Sequence, residues 1–256
     1  MIFESHAHYD DEKFDADRNE LLLSMPENGI GRIINIGCSI ESCKSTLELT
    51  KKYPFIYGAM GIHPSDISDL DEESFRWLSE QVKKEKVVAV GEIGLDYYWN
   101  KEEEVQKNQR DWFRRQLELA RIHGLPVIIH SREAAADTIE IMKEAHAQGI
   151  PGVIHCFSYS KEMAQEYVKM GYYIGVGGVA TFKNAKKLKE VIECIPLERI
   201  LLETDCPYMA PEPYRGKRNS SLYLPYVVDK IAELKGITAT EVEEVTYRNA
   251  EQLFFG

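Results

Sequence analysis

Two histidines one residue apart close the first apolar run of the chain, in "ESHAHYDD" (residues 4–11). Positions i and i+2 of a strand share a face, so an extended run to His8 points His6 and His8 the same way. Taken alone, the pattern also fits two half-exposed loop residues. The rest of the chain repeats it. His63 stands in "GIHP", Glu92 in "VVAVGEIG", His130 ends "PVIIH", His155 stands in "GVIHCF", and Glu203 and Asp205 close "RILLETD". Five of the seven histidines therefore lie at the ends of short apolar runs, while His123 and His146 fall in segments with helical spacing. One histidine on an apolar strand is usually a satisfied core residue. Several at strand ends, matched by a Glu and an Asp, form the imidazole and carboxylate donor set of a metal site. Ser131 beside His130 does not make a nucleophilic pair. Consecutive strand residues face opposite ways, and a triad needs a Ser–His hydrogen bond.

The elements that must position these side chains alternate. Apolar runs at 2–8, 32–37, 55–61, 87–94, 126–130, 152–157, 172–178 and 199–205 are each followed by a charged segment of helical spacing, and a last helix is expected near 239–253. Nearly continuous apolar strands separated by helices predict a parallel sheet covered on its outer face. "GLP" (124–126) and "GIP" (149–151) place Gly and Pro where helices cap and stop. Eight such units predict an α/β fold, a closed (β/α)8 TIM barrel, regular or distorted, with an extra C-terminal helix. One domain, 1–256, is expected. An open doubly wound sheet would want a Gly-rich phosphate loop after the first strand, and "HAHYDD" is not one. In a parallel barrel all C-terminal strand ends meet at one mouth, where such folds keep their chemistry.

Composition narrows the setting. Five scattered cysteines without a Cys-x-x-Cys predict a reducing, cytoplasmic environment. No basic-then-apolar leader and no membrane-length apolar run are present in the sequence. The formal net charge of −11 argues against a polyanionic partner. That objection is global, however, and bound cations can invert the field locally.

"HAH", "GIHP", "GEIGLDY", "HSR", "HCF", "ETDCP" and "PYRGKRN" closely resemble, in that order and along essentially the whole chain, the motifs of the TatD family of metal-dependent deoxyribonucleases, which are amidohydrolase-like TIM barrels. The resemblance implies that His6 and His8 hold one metal ion with Asp205, that Glu92 bridges two, and that His130 and His155 hold the second. Two divalent ions per chain are thus expected, Zn²⁺, Mg²⁺ or Mn²⁺, with coordination positions left for water and substrate. Such a pair suits phosphodiester hydrolysis. Asp205 and Glu92 are the expected catalytic residues, Asp205 also orienting or deprotonating the attacking water. Arg215, Lys217 and Arg218 of the basic loop, Arg132 after His130, and His63 are expected at substrate phosphates.

The expected substrate is DNA, single-stranded or at a strand end, bound weakly and cleaved exonucleolytically. No membrane and no obligate protein partner are expected. A small-molecule amidohydrolase such as a lactonase is the alternative enzyme, and a non-catalytic metal-binding barrel the alternative outside enzymes. The basic loop favours the nuclease. One departure stands out: Ser220 and Ser221 follow "RGKRN" where the family often has Glu-Pro.

Overall fold

The strands β1 (Ile2–Ala7), β2 (Ile30–Ile36), β3 (Ile56–Met60), β4 (Val87–Asp96), β5 (Val127–Arg132), β6 (Gly152–Ile154), β7 (Tyr173–Val176) and β8 (Ile200–Leu202) follow chain order in one eight-stranded parallel sheet. Between and after them run α1 (Arg18–Ser24), α2 (Ile40–Lys52), α3 (Glu72–Gln81), α4 (Glu103–His123), α5 (Ala135–Ala147), α6 (Lys161–Lys169), α7 (Lys186–Cys194), α8 (Leu224–Lys235) and α9 (Ala239–Phe255). The fold is the expected (β/α)8 barrel with an extra C-terminal helix. The computed structural model describes residues 1–256, apart from the side chain of residue 69.

Local chemistry explains the boundaries. Ser39 caps α2 by accepting the Ser42 N–H, and Asp71 opens α3 by accepting the N–H groups of Glu73 and Ser74. Gly124 ends α4 at φ 63°, the left-handed cap that "GLP" predicts. Helix α1 stops at Ser24, and Pro26 opens a separate 3-10 turn to Asn28. β6 and β8 stop at half or less of their apolar runs. Beyond β6 and β8 the backbone enters the left-handed region at Cys156 (φ 44°) and Asp205 (φ 56°), so the chain leaves the ladder there. His155, Glu203 and Asp205 consequently begin loops instead of ending strands.

The chain forms two compact units. Residues Met1–Asn35 with Cys156–Gly256 make the first. Within it β8 lies beside β1, joined by a parallel bridge between Ala7 and Cys206. The His8 N–H donates to Cys206 O at 2.9 Å and the Asp205 N–H to His6 O at 3.0 Å, which fixes the three residues against one another. Phe3 packs on Tyr247 and Phe254 of α9, with ring centroids 5.6 and 6.0 Å away. The odd face of β1 therefore meets the last helix, leaving Glu4 and His6 on the other.

Residues Ile36–His155 make the second unit. Its strand β4 is buried along its whole length. A Cβ on Gly94 (φ 145°) would stand 1.9 Å from His130 O, so only glycine lets β4 approach β5 beside that histidine. Two buried amides of α4 grip strand ends. Gln116 accepts the Ile62 N–H at 2.8 Å and donates to Ile62 O at 3.1 Å. Gln109 does the same for Asp96, at 2.9 and 3.2 Å. These bonds hold the backbone beside His63 and at the end of β4. No helix among the described residues is long and apolar enough to cross a membrane.

Candidate functional site

In the first unit His6 Nε2 and His8 Nε2 lie 3.1 Å apart, with Asp205 Oδ1 at 3.8 and 3.4 Å from them. The i, i+2 pattern of the sequence is thus realised, and the left-handed turn at Asp205 brings its carboxylate to the pair. These ligand atoms lie within 4.8 Å of one another. Two imidazole edges and one carboxylate oxygen at such spacing suit a divalent cation of intermediate softness.

Behind this cluster Glu4 is completely buried. Its Oε1 accepts the N–H groups of His6 (3.1 Å) and Thr204 (2.9 Å), and its Oε2 accepts the hydroxyls of Thr204 (2.7 Å) and Ser221 (2.9 Å). One carboxylate therefore ties together β1, the turn after β8 and the start of the 3-10 turn Ser221–Tyr223. Burial pushes the Glu4 carboxyl up to about 8, against the hydrogen bonds, which pull it down. Ser221 also donates its N–H to Tyr9 Oη at 2.9 Å.

In the second unit three imidazoles face one oxygen. Glu92 Oε1 lies 2.7 Å from His130 Nδ1, 3.4 Å from His155 Nε2 and 3.9 Å from His63 Nε2. His130 Nε2 meets Asp96 Oδ2 at 3.2 Å. Burial would lower the His130 pKa, but the hydrogen bonds to Asp96 and Glu92 outweigh it and hold the imidazole above its ordinary value. The Asp96 carboxyl shifts the opposite way. Burial raises it, while His130 and the N–H groups of Trp99 and Tyr98 bring it below the ordinary range. Loss of the Nδ1 proton would free that nitrogen as a ligand on the Glu92 side while Nε2–H stays donated to Asp96, the arrangement of a metal-ligating histidine oriented by a carboxylate.

His63 plays a different part. Its Nδ1 accepts the Ser65 N–H at 3.1 Å, so in the neutral ring Nε2 carries the hydrogen. His63 therefore presents a donor, which suits contact with a phosphate oxygen or leaving group and not metal ligation. Ser131 turns away to Thr138 of α5, its hydroxyl 2.8 Å from that of Thr138, as strand alternation requires.

The loop after β8 carries both Asp205 and the basic residues. Asn219 folds it back on itself: its side chain donates to Thr204 O (3.0 Å) and Tyr208 O (2.7 Å), and its N–H to Pro207 O (2.9 Å). The three cations fare differently. Arg218 holds both oxygens of Asp17, at 2.7 and 2.6 Å, and the Lys13 carbonyl at 2.8 Å. Arg215 lies over the Phe182 ring at 4.2 Å and Lys217 stands 5.8 Å from the Tyr214 ring. Arg132, in the other unit, lies over the Tyr98 ring at 4.0 Å.

Asp96, Glu4 and Asn219, which hold candidate site residues or the turns that carry them, are not singled out by the sequence alone. For Asp96 a signal exists: it is an acidic residue ending the longest apolar run, inside "GEIGLDY".

The model of the family described as TatD related DNase matches residues 3–255. The chain belongs to the TatD family of metal-dependent hydrolases. A relative from Bacillus subtilis (strain 168), described as the uncharacterized metal-dependent hydrolase YabD, is 44% identical, with 99% of each chain covered. The uncharacterized metal-dependent hydrolase YcfH of Escherichia coli (strain K12) is 34% identical, covering 99% of this chain and 96% of its own. The crystal structure of YJJV, a TatD homolog from Escherichia coli K12, superposes with a TM-score of 0.92 at 32% identity, over 99% of this chain and 97% of that one.

Membership in the TatD family sharpens one expectation that chemistry already carries. A metal-ligating His130 should depend on Asp96 for orientation and basicity. Asp96→Asn should weaken metal binding by about 10–100-fold at mildly alkaline pH. It should also flatten the pH dependence of binding. The raised His130 pKa makes the proton compete with the ion at higher pH, so affinity falls as pH falls through that range, and losing Asp96 lowers the pKa. Titration of the metal-free protein with Mn²⁺ or Zn²⁺ at several pH values measures both effects.

Proposed function

We propose that this TatD-family hydrolase cleaves phosphodiester bonds of DNA, acting on single strands or strand ends. The observation that supports the reading most is the loop after β8. Asn219 holds a stretch with three cations against the turn that presents Asp205, in a chain whose net charge is −11. A lactone or another small neutral substrate gives no reason for that pairing.

The proposed ligands are His6, His8 and Asp205 in one unit and Glu92, His130 and His155 in the other, with each cluster taking a divalent ion. When bound, such ions lower the pKa of water and neutralise charge on the phosphate oxygens. Asp205 takes the proton of the attacking water, since its carboxylate is partly exposed beside His8. His63 Nε2–H donates to a phosphate oxygen or to the departing oxygen. Arg215 and Lys217 meet flanking phosphates. Arg218 serves first as the loop's anchor through Asp17, and reaches a phosphate only on leaving that pair.

Ionic strength tests this reading. Removing one cation that neutralises a phosphate should flatten the dependence of log affinity on log salt by about 0.7 on single strands. Arg215→Ala with Lys217→Ala should raise KM for an oligonucleotide at low salt and flatten its salt slope. A small activated phosphodiester too short to reach the loop should show much the smaller loss. Equal losses on both substrates would make the loop a structural support. No loss on either would favour a small-molecule substrate.

A further inference from the structure

We propose that Trp99 and Tyr98, backed by Arg132, form a stacking platform for an unpaired nucleobase next to the scissile phosphate. The proposal rests on the phosphodiesterase reading and adds what part of the substrate is recognised. Three aromatic residues in succession leave β4. The first, Tyr97, is tied down: its hydroxyl donates to Asp137 at 2.6 Å and receives Arg110 at 3.1 Å. The next two are displayed instead. Tyr98 is 39% exposed and Trp99 69%, and their rings meet edge to face at 4.6 Å. A tryptophan is rarely left so open, because its burial is worth more than that of almost any other side chain.

The display is built, not incidental. Asp96 Oδ1 accepts the N–H groups of Tyr98 (3.0 Å) and Trp99 (3.2 Å), while its Oδ2 meets His130. The same carboxylate that orients a candidate metal ligand therefore sets the turn presenting the two rings. Arg132, two residues beyond His130 on β5, stands over Tyr98 at 4.0 Å and 5.7 Å from the Trp99 ring, and the Tyr97 N–H fixes its carbonyl at 2.9 Å. A guanidinium stacked on an aromatic ring keeps its N–H edge for an anion. Exposed rings beside a cation are how sequence-tolerant single-strand binders hold bases and backbone together. A duplex end keeps its bases paired and offers less to stack, so the platform favours single strands.

The test uses the metal-loaded protein with short single-stranded thymidine oligonucleotides and their abasic counterparts. Removing one stacking ring typically weakens binding by about tenfold. Wild type should show KM about tenfold lower for the base-bearing oligonucleotide than for the abasic one. In Trp99→Ala that ratio should fall toward one, and Trp99→Phe should restore it. Independently of turnover, a phosphorothioate-linked oligonucleotide should quench the tryptophan fluorescence of wild type, with the quench absent from Trp99→Phe.

An unchanged ratio in Trp99→Ala, or a quench that persists without Trp99, overturns the platform. So does a dimer in wild type that Trp99→Ala dissolves, since a second copy would then be the occupant. Quenching by base-bearing oligonucleotide with no cleavage of any phosphodiester would uphold the platform while overturning the hydrolytic reading.

Discussion

Asp205→Asn lowers turnover by about 10²–10⁴-fold with the fold intact, the range that loss of a positioned general base produces. Asparagine keeps the size and shape of the side chain that faces His8 at 3.4 Å and His6 at 3.8 Å, but it cannot take a proton at neutral pH. The backbone bonds that fix the turn do not involve the side chain: the Asp205 N–H still donates to His6 O, and the His8 N–H to Cys206 O. Left-handed backbone at φ 56° is a conformation that asparagine tolerates well. Thermal unfolding should therefore change little while kcat collapses. Near-normal turnover with metal bound would reduce Asp205 to a structural residue.

The second large effect belongs to Glu92. Its Oε1 is the one oxygen that His130, His155 and His63 all face. In Glu92→Ala the imidazoles lose the carboxylate that gathers them, and metal affinity should drop by more than the roughly 10–100-fold that an outer-shell partner is worth. Metal analysis after reconstitution should approach two ions per chain in the wild type. The bridging role implied by the resemblance predicts that Glu92→Ala loses both; loss of one alone confines Glu92 to a single ion. Full occupancy and full activity in this variant would contradict the assignment. Turnover should also vanish on chelation and return with added Mn²⁺ or Mg²⁺.

Much of this is legible in the residues themselves. Period-two placement of His6 and His8 is visible, because a strand leaves no other way for alternate residues to point. The barrel is visible too, because eight buried parallel strands must be nearly continuous apolar runs. Helix ends at Ser39, Asp71 and Gly124 carry their own capping residues. What stays hidden are interactions between residues distant in sequence. Glu4 meets Ser221 across 217 positions, and Arg218 meets Asp17 across 201. Neither pairing leaves a motif. The Arg218 pair matters most, since one of the loop's three cations, expected at substrate phosphates, is held by a carboxylate. The left-handed turns at Cys156 and Asp205 are equally silent, because Cys and Asp do not announce positive φ as glycine does.

Asp96 shows how a motif residue can be visible and still unread. Its place at the end of β4 is plain in the sequence, but its two roles depend on both carboxylate oxygens. One meets His130 and the other caps the turn of Tyr98 and Trp99. The turn bonds are local, two and three residues on, but only the packing of β4 against β5 brings His130 to the other oxygen. That packing in turn depends on Gly94, where any side chain would strike the His130 carbonyl.

The most direct test of the central claim is cleavage of end-labelled DNA by the metal-reconstituted protein, run beside a panel of lactones. Single-stranded and double-stranded oligonucleotides, labelled at either end, should be supplied with Mn²⁺ or Mg²⁺ and with chelator. Stepwise shortening of the single strand from one end, slower on the duplex and abolished by chelator or by Asp205→Asn, is the predicted result. Efficient metal-dependent opening of a lactone with the DNA left intact would contradict it.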